Sequence, residues 1–108
     1  MAGFTMEKMQ EIQKELQEKY REQWGGLDPD KGKQQLLWMI AEAGEVADIM
    51  KKKGSRQIME DPQVRHDFIE EMCDVLMYFN DVLLCYGIEP EDVEKAYLAK
   101  HERNMKRW

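Results

Sequence analysis

The chain centres on the segment Leu36-Leu37-Trp38-Met39-Ile40-Ala41-Glu42-Ala43-Gly44-Glu45, where two glutamates follow a run of apolar side chains. In a helix, positions three apart lie on the same face, so Glu42 and Glu45 present their carboxylates side by side. Helical spacing also places Trp38 and Val46 one turn before and one turn after Glu42. The segment therefore predicts a helix that carries acids at the edge of its buried face.

A second segment repeats this arrangement. Glu71-Met72-Cys73-Asp74 lies in an apolar stretch that continues to Leu84, and Phe68 and Val75 occupy neighbouring turns of the same helix face. If the two helices pack together, four carboxylates meet in a partly dry place, where repulsion and desolvation are costly unless protons or cations compensate. Acid pairs on a solvated surface are the commoner arrangement, but two pairs set inside apolar stripes favour a bound divalent cation.

The two motifs offer only oxygen ligands, from Glu42, Glu45, Glu71 and Asp74. Such sets favour hard ions, Mg²⁺ first and Mn²⁺ as the alternative. Di-iron helical bundles use Glu-x-x-His pairs instead, and neither motif contains a histidine. The motifs therefore argue for magnesium and against iron or zinc. Three further acids extend this edge and are predicted to lie at the surface: Asp48, Asp67 and Asp81.

The composition fits one acidic domain spanning residues 1–108. A chain of this length has room for one modest core and not for two. Its net charge of -6 argues against nucleic-acid binding, which needs an excess of basic side chains. No apolar run approaches the roughly 20 residues of a transmembrane helix, so we expect no membrane association and a cytoplasmic location.

Apolar periodicity and helix breakers predict an all-α fold, a bundle of four helices. Thr5 suits the cap of the first helix, and Gly54 and Gly87 suit the ends of the second and third. The predicted spans in chain order are 5–24, 28–53, 61–86 and 90 onward, with a polar connector over residues 55–61. The apolar stripe predicted for the first helix consists of Met6, Met9, Ile12, Leu16 and Tyr20.

The segments Leu37-Trp38-Met39-Ile40-Ala41-Glu42-Ala43-Gly44-Glu45-Val46-Ala47-Asp48 and Glu70-Glu71-Met72-Cys73-Asp74-Val75-Leu76 resemble the MazG-like nucleotide pyrophosphohydrolases, members of the all-α NTP pyrophosphatase superfamily. The ending Lys100-His101-Glu102-Arg103-Asn104-Met105-Lys106-Arg107 is similar to that family's Lys-x-x-x-Asn-x-x-Arg tail. The resemblance implies a four-helix MazG-like bundle. It also implies Mg²⁺-dependent hydrolysis of a canonical or damaged nucleoside triphosphate (NTP or dNTP) to a monophosphate and pyrophosphate.

Carried over residue by residue, the resemblance implies that Glu42, Glu45, Glu71 and Asp74 are the Mg²⁺ ligands. A water hydrogen-bonded to Glu42 or Glu45 would attack the α-phosphorus in line, and we favour Glu42 as the group that accepts its proton. Both glutamates are therefore the predicted catalytic residues.

The same resemblance implies the residues that bind the substrate. Tyr78 matches a position that touches the nucleotide in some relatives, and Lys100 and Asn104 match tail positions that help to hold the phosphates or the sugar. Arg107 shares their helix face, although cations solvated near a helix C-terminus would give the same spacing. Trp38 suits stacking on a base, with packing in the core or at an interface slightly preferred.

Two other functions fit the same sequence. One is a non-catalytic helical module that oligomerises through its apolar stripes, with the carboxylates holding a structural ion or nothing. The other is a pyrophosphohydrolase that acts on another phosphorylated substrate, such as phosphoribosyl-ATP. In each case four short helices make a thin bundle for so many apolar positions, so we expect a homo-oligomer, a dimer or a tetramer, that buries helix faces between subunits.

Overall fold

The computed structural model describes residues 3–108, and these are helical with no strand among them. The elements in chain order are α1 (Met6–Lys19), α2 (Arg21–Trp24), a 3₁₀ turn (Pro29–Lys31), α3 (Gly32–Glu60), α4 (Pro62–Cys85) and α5 (Pro90–Arg107). The all-α prediction is confirmed. There are five helices instead of four because Tyr20 leaves the helical conformation and separates the short α2 from α1.

The predicted helix starts carry the hydrogen bonds expected of capping residues. The hydroxyl of Thr5 accepts a hydrogen bond from the backbone N–H of Lys8 at 3.1 Å. The carboxylate of Asp61 accepts from the backbone N–H groups of Gln63 at 2.9 Å and Val64 at 3.2 Å. These bonds satisfy amide groups that have no partner within the first turn of a helix, and so they fix where α1 and α4 begin.

The predicted end of the second helix at Lys53 corresponds to a break inside α3. Gly54 has φ 76° and ψ 163°, a conformation that residues with a side chain rarely adopt. Residues 55–60 then resume a helix, so the polar connector predicted there is wrong. Their glutamine, arginine and glutamate side chains are adequate helix formers, and Arg56 pairs with Glu60 at 3.1 Å along the segment.

The long helices α3 and α4 form an antiparallel hairpin joined at Asp61, and this pair holds most of the tertiary packing. Helix α1 packs on α4, and α5 packs on α1 rather than along the hairpin. Gly32 brings the start of α3 against the end of α4, because a Cβ there would overlap the ring of Tyr86. No helix within residues 3–108 combines the length and the apolar character needed to cross a bilayer.

The interior of the folded chain is small and unusually polar. Among the described residues, the buried apolar side chains are Val46, Cys85 and Pro90. Helix α1 buries Gln10 and Gln13, while Ile12 of its predicted apolar stripe is 38% exposed. The predicted apolar stripe of α1 is therefore wrong at Ile12, and Gln13 is buried instead because its amide hydrogen-bonds to Asp81, a buried acid of α4.

One side of the hairpin, here called the reverse face, is apolar and uncovered. Its six defining side chains are each 41–55% exposed: Leu36, Ile40, Met50, Ile69, Met72 and Leu76. At about 100° per residue, these positions are centred about 120° around α3 from Glu42, and further still around α4 from Asp74. The hairpin therefore carries its acids on one side, where α1 lies, and an apolar surface on the other.

Candidate active site

The hairpin brings three of the four predicted ligands together. Glu42 comes from α3, and Glu71 and Asp74 come from adjacent turns of α4. One carboxylate oxygen of each lies within 4.8 Å of the others, and all three side chains are half-buried. Helical spacing aligns Glu71 with Asp74, and the antiparallel packing of α3 on α4 supplies Glu42. We refer to these three residues as the acidic cluster.

The charges of the acidic cluster have no counterion among residues 3–108. Among residues 3–108, ion pairs form elsewhere, and no lysine, arginine or histidine lies within ion-pair distance of Glu42, Glu71 or Asp74. Burial, a hydrogen bond with Glu42 and the charge of Asp74 raise the pKa of Glu71 above its usual range. Binding of a proton or a cation would therefore reduce the repulsion between these carboxylates.

The geometry of the acidic cluster suits a small hard cation. Oxygen ligands of Mg²⁺ lie about 2.1 Å from the ion, so two of them are at most about 4.2 Å apart. The observed limit of 4.8 Å among the cluster oxygens needs only small side-chain rotations to reach that value. Glu45, the fourth predicted ligand, is exposed and lies outside the group of three. Its charge still contributes to the raised pKa of Glu71, which places it close by.

A second carboxylate site lies two turns further along α4, at Asp81. This side chain is only 3% exposed, and the prediction that it lies at the surface is wrong. Its oxygens accept hydrogen bonds from the side-chain amides of Gln13 at 2.8 Å, Gln35 at 3.0 Å and Gln17 at 3.2 Å. Burial raises the pKa of Asp81, and the three amides partly offset this effect.

The acidic cluster and the Asp81 site meet at one cleft of about 400 Å³. Asp74 of the acidic cluster lines this cleft, and Asp81 with its glutamines forms a polar part of the wall. The remaining lining is partly aromatic. The residues that line the cleft are Gln13, Leu16, Gln17, Trp24, Gly26, Leu27, Lys31, Gln34, Gln35, Trp38, Asp74, Met77, Tyr78 and Asp81.

Two of the predicted substrate-binding residues line this cleft. Trp38 is 51% exposed and belongs to the cleft wall, not to the interior of the chain. Tyr78 is half-buried, and burial together with the charge of Glu42 raises its pKa. Its hydroxyl therefore stays a neutral hydrogen-bond donor at neutral pH. Both side chains lie where a ligand in the cleft would approach the acidic cluster.

A smaller cleft of about 300 Å³ lies on the other side of the acidic cluster. Glu45 and Glu71 line it together with Lys52 and other charged side chains. Lys52 pairs with Asp48 at 2.9 Å, and this hydrogen bond raises the pKa of the lysine. The acidic cluster thus separates an aromatic cleft from a charged one.

The C-terminal residues of the predicted site do not approach the acidic cluster within one chain. Lys100 and Asn104 line a separate cleft between α5 and Leu83. The guanidinium of Arg107 lies over the ring of Trp108, 4.9 Å from the ring centre. Within a single chain, the fold therefore leaves the two parts of the predicted site apart.

Sequence reasoning missed the Asp81 site, although two signals for it are present. Asp81 follows Asp74 by seven residues and so shares its helix face. Gln13 and Gln17 are four apart and likewise share a face of α1. Neither signal says that the two faces meet, because that contact joins residues 64 and 68 positions apart in the chain.

These features define a class of site: a helical hairpin whose uncompensated carboxylates border a cleft with aromatic and amide walls. Comparison of the chain with known protein families, with curated proteins and with solved structures finds no match.

Proposed function

We propose that this protein is a MazG-like, Mg²⁺-dependent nucleotide pyrophosphohydrolase, which converts a nucleoside triphosphate into a monophosphate and pyrophosphate. The observation that carries the proposal is the acidic cluster, which gathers Glu42, Glu71 and Asp74 within 4.8 Å. No basic side chain in the part of the chain that the structure describes forms an ion pair with them. Asp74 of the cluster lines a cleft that also has aromatic walls, which supports a ligand that combines a flat ring with a charged group.

The carboxylates set the chemistry that this site would support. A triphosphate and an acidic cluster repel one another, so they would meet only across cations. Glu42, Glu71 and Asp74 would hold Mg²⁺, with Glu45 turning in from solvent as the fourth ligand. When bound, Mg²⁺ supplies neutralisation of charge that develops on the leaving pyrophosphate.

Glu42 is the residue that we propose as the proton acceptor. It is half-buried, lies on the opposite helix from the other two acids, and faces Glu71 closely enough to raise the pKa of that carboxyl. A carboxylate held in such a place can orient a water and take its proton as the water attacks. Trp38 and Tyr78 would hold the nucleoside in the neighbouring cleft.

The test of this proposal is pyrophosphate release from a panel of purified NTPs and dNTPs, with Mg²⁺, with Mn²⁺ and with EDTA. We expect metal-dependent release accompanied by the matching monophosphate. The double variant Glu42→Gln/Glu71→Gln should be inactive, and its circular dichroism should match that of the native protein. If folded protein binds Mg²⁺ but releases no pyrophosphate from any nucleotide of the panel, nucleoside triphosphates are the wrong substrate. If the protein neither releases pyrophosphate nor binds Mg²⁺, the proposed function is overturned.

We further infer that a second copy of the chain covers the reverse face. The accessible surface is 8599 Å² for a mass of 12.9 kDa, whereas a monomer of this mass exposes about 6,300 Å². The radius of gyration is 16.3 Å, against about 13 Å for a compact domain of this length. The excess of roughly 2,300 Å² per chain is ample for an obligate interface, and the reverse face supplies the apolar surface.

A second copy would also explain the position of the C-terminal tail. Lys100 and Asn104 lie in their own cleft, away from the acidic cluster of the same chain. If they serve the phosphates, they must act on the cluster of a neighbouring copy. The active site would then be shared, and a monomer would be incomplete.

Mixing two inactive variants tests this arrangement. Glu42→Gln lacks one carboxylate of the acidic cluster, and Lys100→Ala lacks the ammonium group of the C-terminal residues. Each variant alone should therefore be nearly inactive. When subunits exchange in an equal mixture of two-site dimers, half of the dimers contain one intact shared site, which restores about a quarter of the native activity. No recovery after verified exchange would show that the tail acts within its own chain. If a verified monomer has the same specific activity, the active site does not need a second copy of the chain.

The reverse face also supports the non-catalytic alternative, a helical interaction module. That function needs the apolar surface but has no use for carboxylates beside an aromatic cleft. Oligomerisation with neither turnover nor Mg²⁺ binding would therefore favour the module. Turnover of another phosphorylated compound, with none of a nucleoside triphosphate, would favour the phosphoribosyl-ATP type of substrate.

A further inference from the structure

We propose that Gln13, Gln17 and Gln35, fixed by Asp81, make the cleft selective for a ring that bears an exocyclic amino group. Adenine and cytosine carry such a group, whereas uracil, thymine and hypoxanthine carry an oxygen in its place. The identity of the whole ligand as a nucleotide rests on the function proposed above. The ring preference itself rests on the cleft and can be measured without turnover.

Asp81 determines which way the three amides point. An ionised carboxylate can only accept hydrogen bonds, so each glutamine that contacts it must turn its NH₂ group inward. The observed bonds have this sense, at 2.8 Å from Gln13, 3.0 Å from Gln35 and 3.2 Å from Gln17. Because the amide oxygen lies opposite the NH₂ group, all three oxygens point away from Asp81.

These amide oxygens are open acceptors. Within residues 3–108, none of the oxygens of Gln13, Gln17 and Gln35 accepts a side-chain hydrogen bond, and none is sealed from solvent. All three residues line the cleft of about 400 Å³, and so does Asp81 itself. Asp81 engages the NH₂ groups of these three glutamines, so this part of the cleft offers several acceptor oxygens whose orientation Asp81 determines.

An acceptor-rich wall favours donors on the ligand. An exocyclic amino group has two N–H bonds and can satisfy two neighbouring amide oxygens. A ring carbonyl at the same position would place its oxygen against them, leaving buried acceptors unpaired. Sites built to hydrogen-bond a substrate group discriminate strongly against an analogue that lacks it. Trp24 and Trp38 in the same lining provide flat apolar surface for the ring.

The test compares pairs of nucleotides that differ mainly in this group. Equilibrium dialysis in Mg²⁺ would measure the binding of dCMP against dUMP, and of dAMP against dIMP, to the full-length protein, because these monophosphates have no anhydride bond to hydrolyse. We expect the amino-bearing member of each pair to bind about tenfold more tightly or better. Comparable binding within each pair, tighter binding of dUMP and dIMP, or no detectable binding of any of the four would overturn the proposal.

Two variants and a control show whether the glutamines are responsible. Asp81→Asn lets a glutamine turn its oxygen inward, which would expose an NH₂ group to the cleft and bring the ratio within each pair towards one. Gln17→Met removes one acceptor at a half-buried position and should also lower the ratio, with less demand on folding. Gln57→Met is the matched control, because Gln57 is exposed on α3 and does not line the cleft. An unchanged ratio in both folded variants would overturn the role of the glutamines.

The outcome is separable from that of the proposed function. Pyrophosphate release with no preference between dCTP and dUTP would leave the hydrolase in place and remove the ring selectivity. Selective binding of dCMP and dAMP without pyrophosphate release would keep the ring selectivity and remove the hydrolase.

Discussion

Asp81 and the acidic cluster are two carboxylate sites on one hairpin, and they meet the cost of burial in different ways. Asp81 is almost fully buried, and three glutamine amides donate hydrogen bonds to it. The cluster of Glu42, Glu71 and Asp74 is half-buried, and among residues 3–108 no basic side chain forms an ion pair with it. The chain therefore completes the first site itself and leaves the second to be completed by a proton or a cation.

This difference in hydrogen bonding indicates that Asp81 is a structural carboxylate, whereas the acidic cluster is a candidate functional site. A buried charge that is fully hydrogen-bonded helps to hold its surroundings in one arrangement, and removing it leaves its donors unpaired. A group of like charges without donors costs free energy in the absence of a ligand, and such groups are typical of functional sites. Substitutions at the two sites should consequently have opposite effects on stability.

The largest expected effect is on activity. Glu42→Gln keeps the size of the side chain and removes its charge, so we expect pyrophosphate release to fall by about a hundredfold to a thousandfold. The matched control is Glu60→Gln, an exposed glutamate of the same helix that pairs with Arg56, which should retain full activity. An active Glu42→Gln enzyme would contradict the role of the acidic cluster.

Glu45→Gln sharpens the boundary of the cluster in the same assay. Glu45 lies outside the group of three and is exposed, so its loss should reduce the rate less than the loss of Glu42. An equal loss would mean that Glu45 turns inward and completes the ligand set, as the family resemblance implies.

The next largest effect is on stability, and here the two sites should diverge in sign. Asp81→Ala leaves buried amide groups of three glutamines without an acceptor, which should lower the free energy of unfolding by about 2–4 kcal/mol. Glu71→Gln relieves repulsion within the cluster and should raise the melting temperature in EDTA. Denaturant and thermal unfolding at one protomer concentration would measure both. If both variants change the stability in the same direction, the proposed difference between Asp81 and the acidic cluster is contradicted.

Metal addition should act on only one of the two sites. Mg²⁺ at ten times its dissociation constant should stabilise the native protein by about 1.4 kcal/mol, because it binds the folded state. Asp81→Asn should keep this response, while Glu71→Gln should lose most of it. Thermal melts with Mg²⁺ and with EDTA would record the difference. If Mg²⁺ stabilises the Glu71→Gln variant as much as the native protein, the ion binds at a site other than the acidic cluster.

The smallest expected effect is a pH dependence that belongs to Asp81. Burial raises its pKa above the ordinary value of 3.8, despite the three amides. The stability that this group contributes is then complete below the unfolded pKa and is lost as the pH rises through the folded pKa. Relative to Asp81→Asn, the native protein should lose stability over that interval. Denaturant unfolding across the acid range would measure this, and parallel curves for the two proteins would contradict it.

Much of the helical layout follows from local sequence. Thr5 caps the helix that it was predicted to cap, Asp61 caps the helix predicted to begin there, and Gly54 interrupts α3 directly after Lys53. Caps, glycines and apolar spacing act over a few residues, so the sequence displays them directly. The predicted connector over residues 55–61 failed because Gly54 permits a break without preventing the helix from resuming.

The candidate site could be predicted only in part. Spacing three apart put Glu71 beside Asp74, and the apolar neighbours of Glu42 and Glu71 indicated that the two helices would pack with these acids at the seam. The acidic cluster agrees with that reasoning for Glu42, Glu71 and Asp74. The placement of Glu45 outside the group depends on the rotation of α3 about its own axis, which apolar spacing defines only coarsely.

The sequence by itself determined the all-α fold, the starts of α1 and α4 and the alignment of Glu71 with Asp74, because these depend on backbone periodicity and on neighbours within a turn. Only the tertiary structure decided which face meets which. It buried Asp81 against Gln13 and Gln35, 68 and 46 positions away. It also left the reverse face uncovered and kept Lys100 apart from the acids. The physical reason is that burial is a property of contacts between distant segments, whose partners no local pattern specifies.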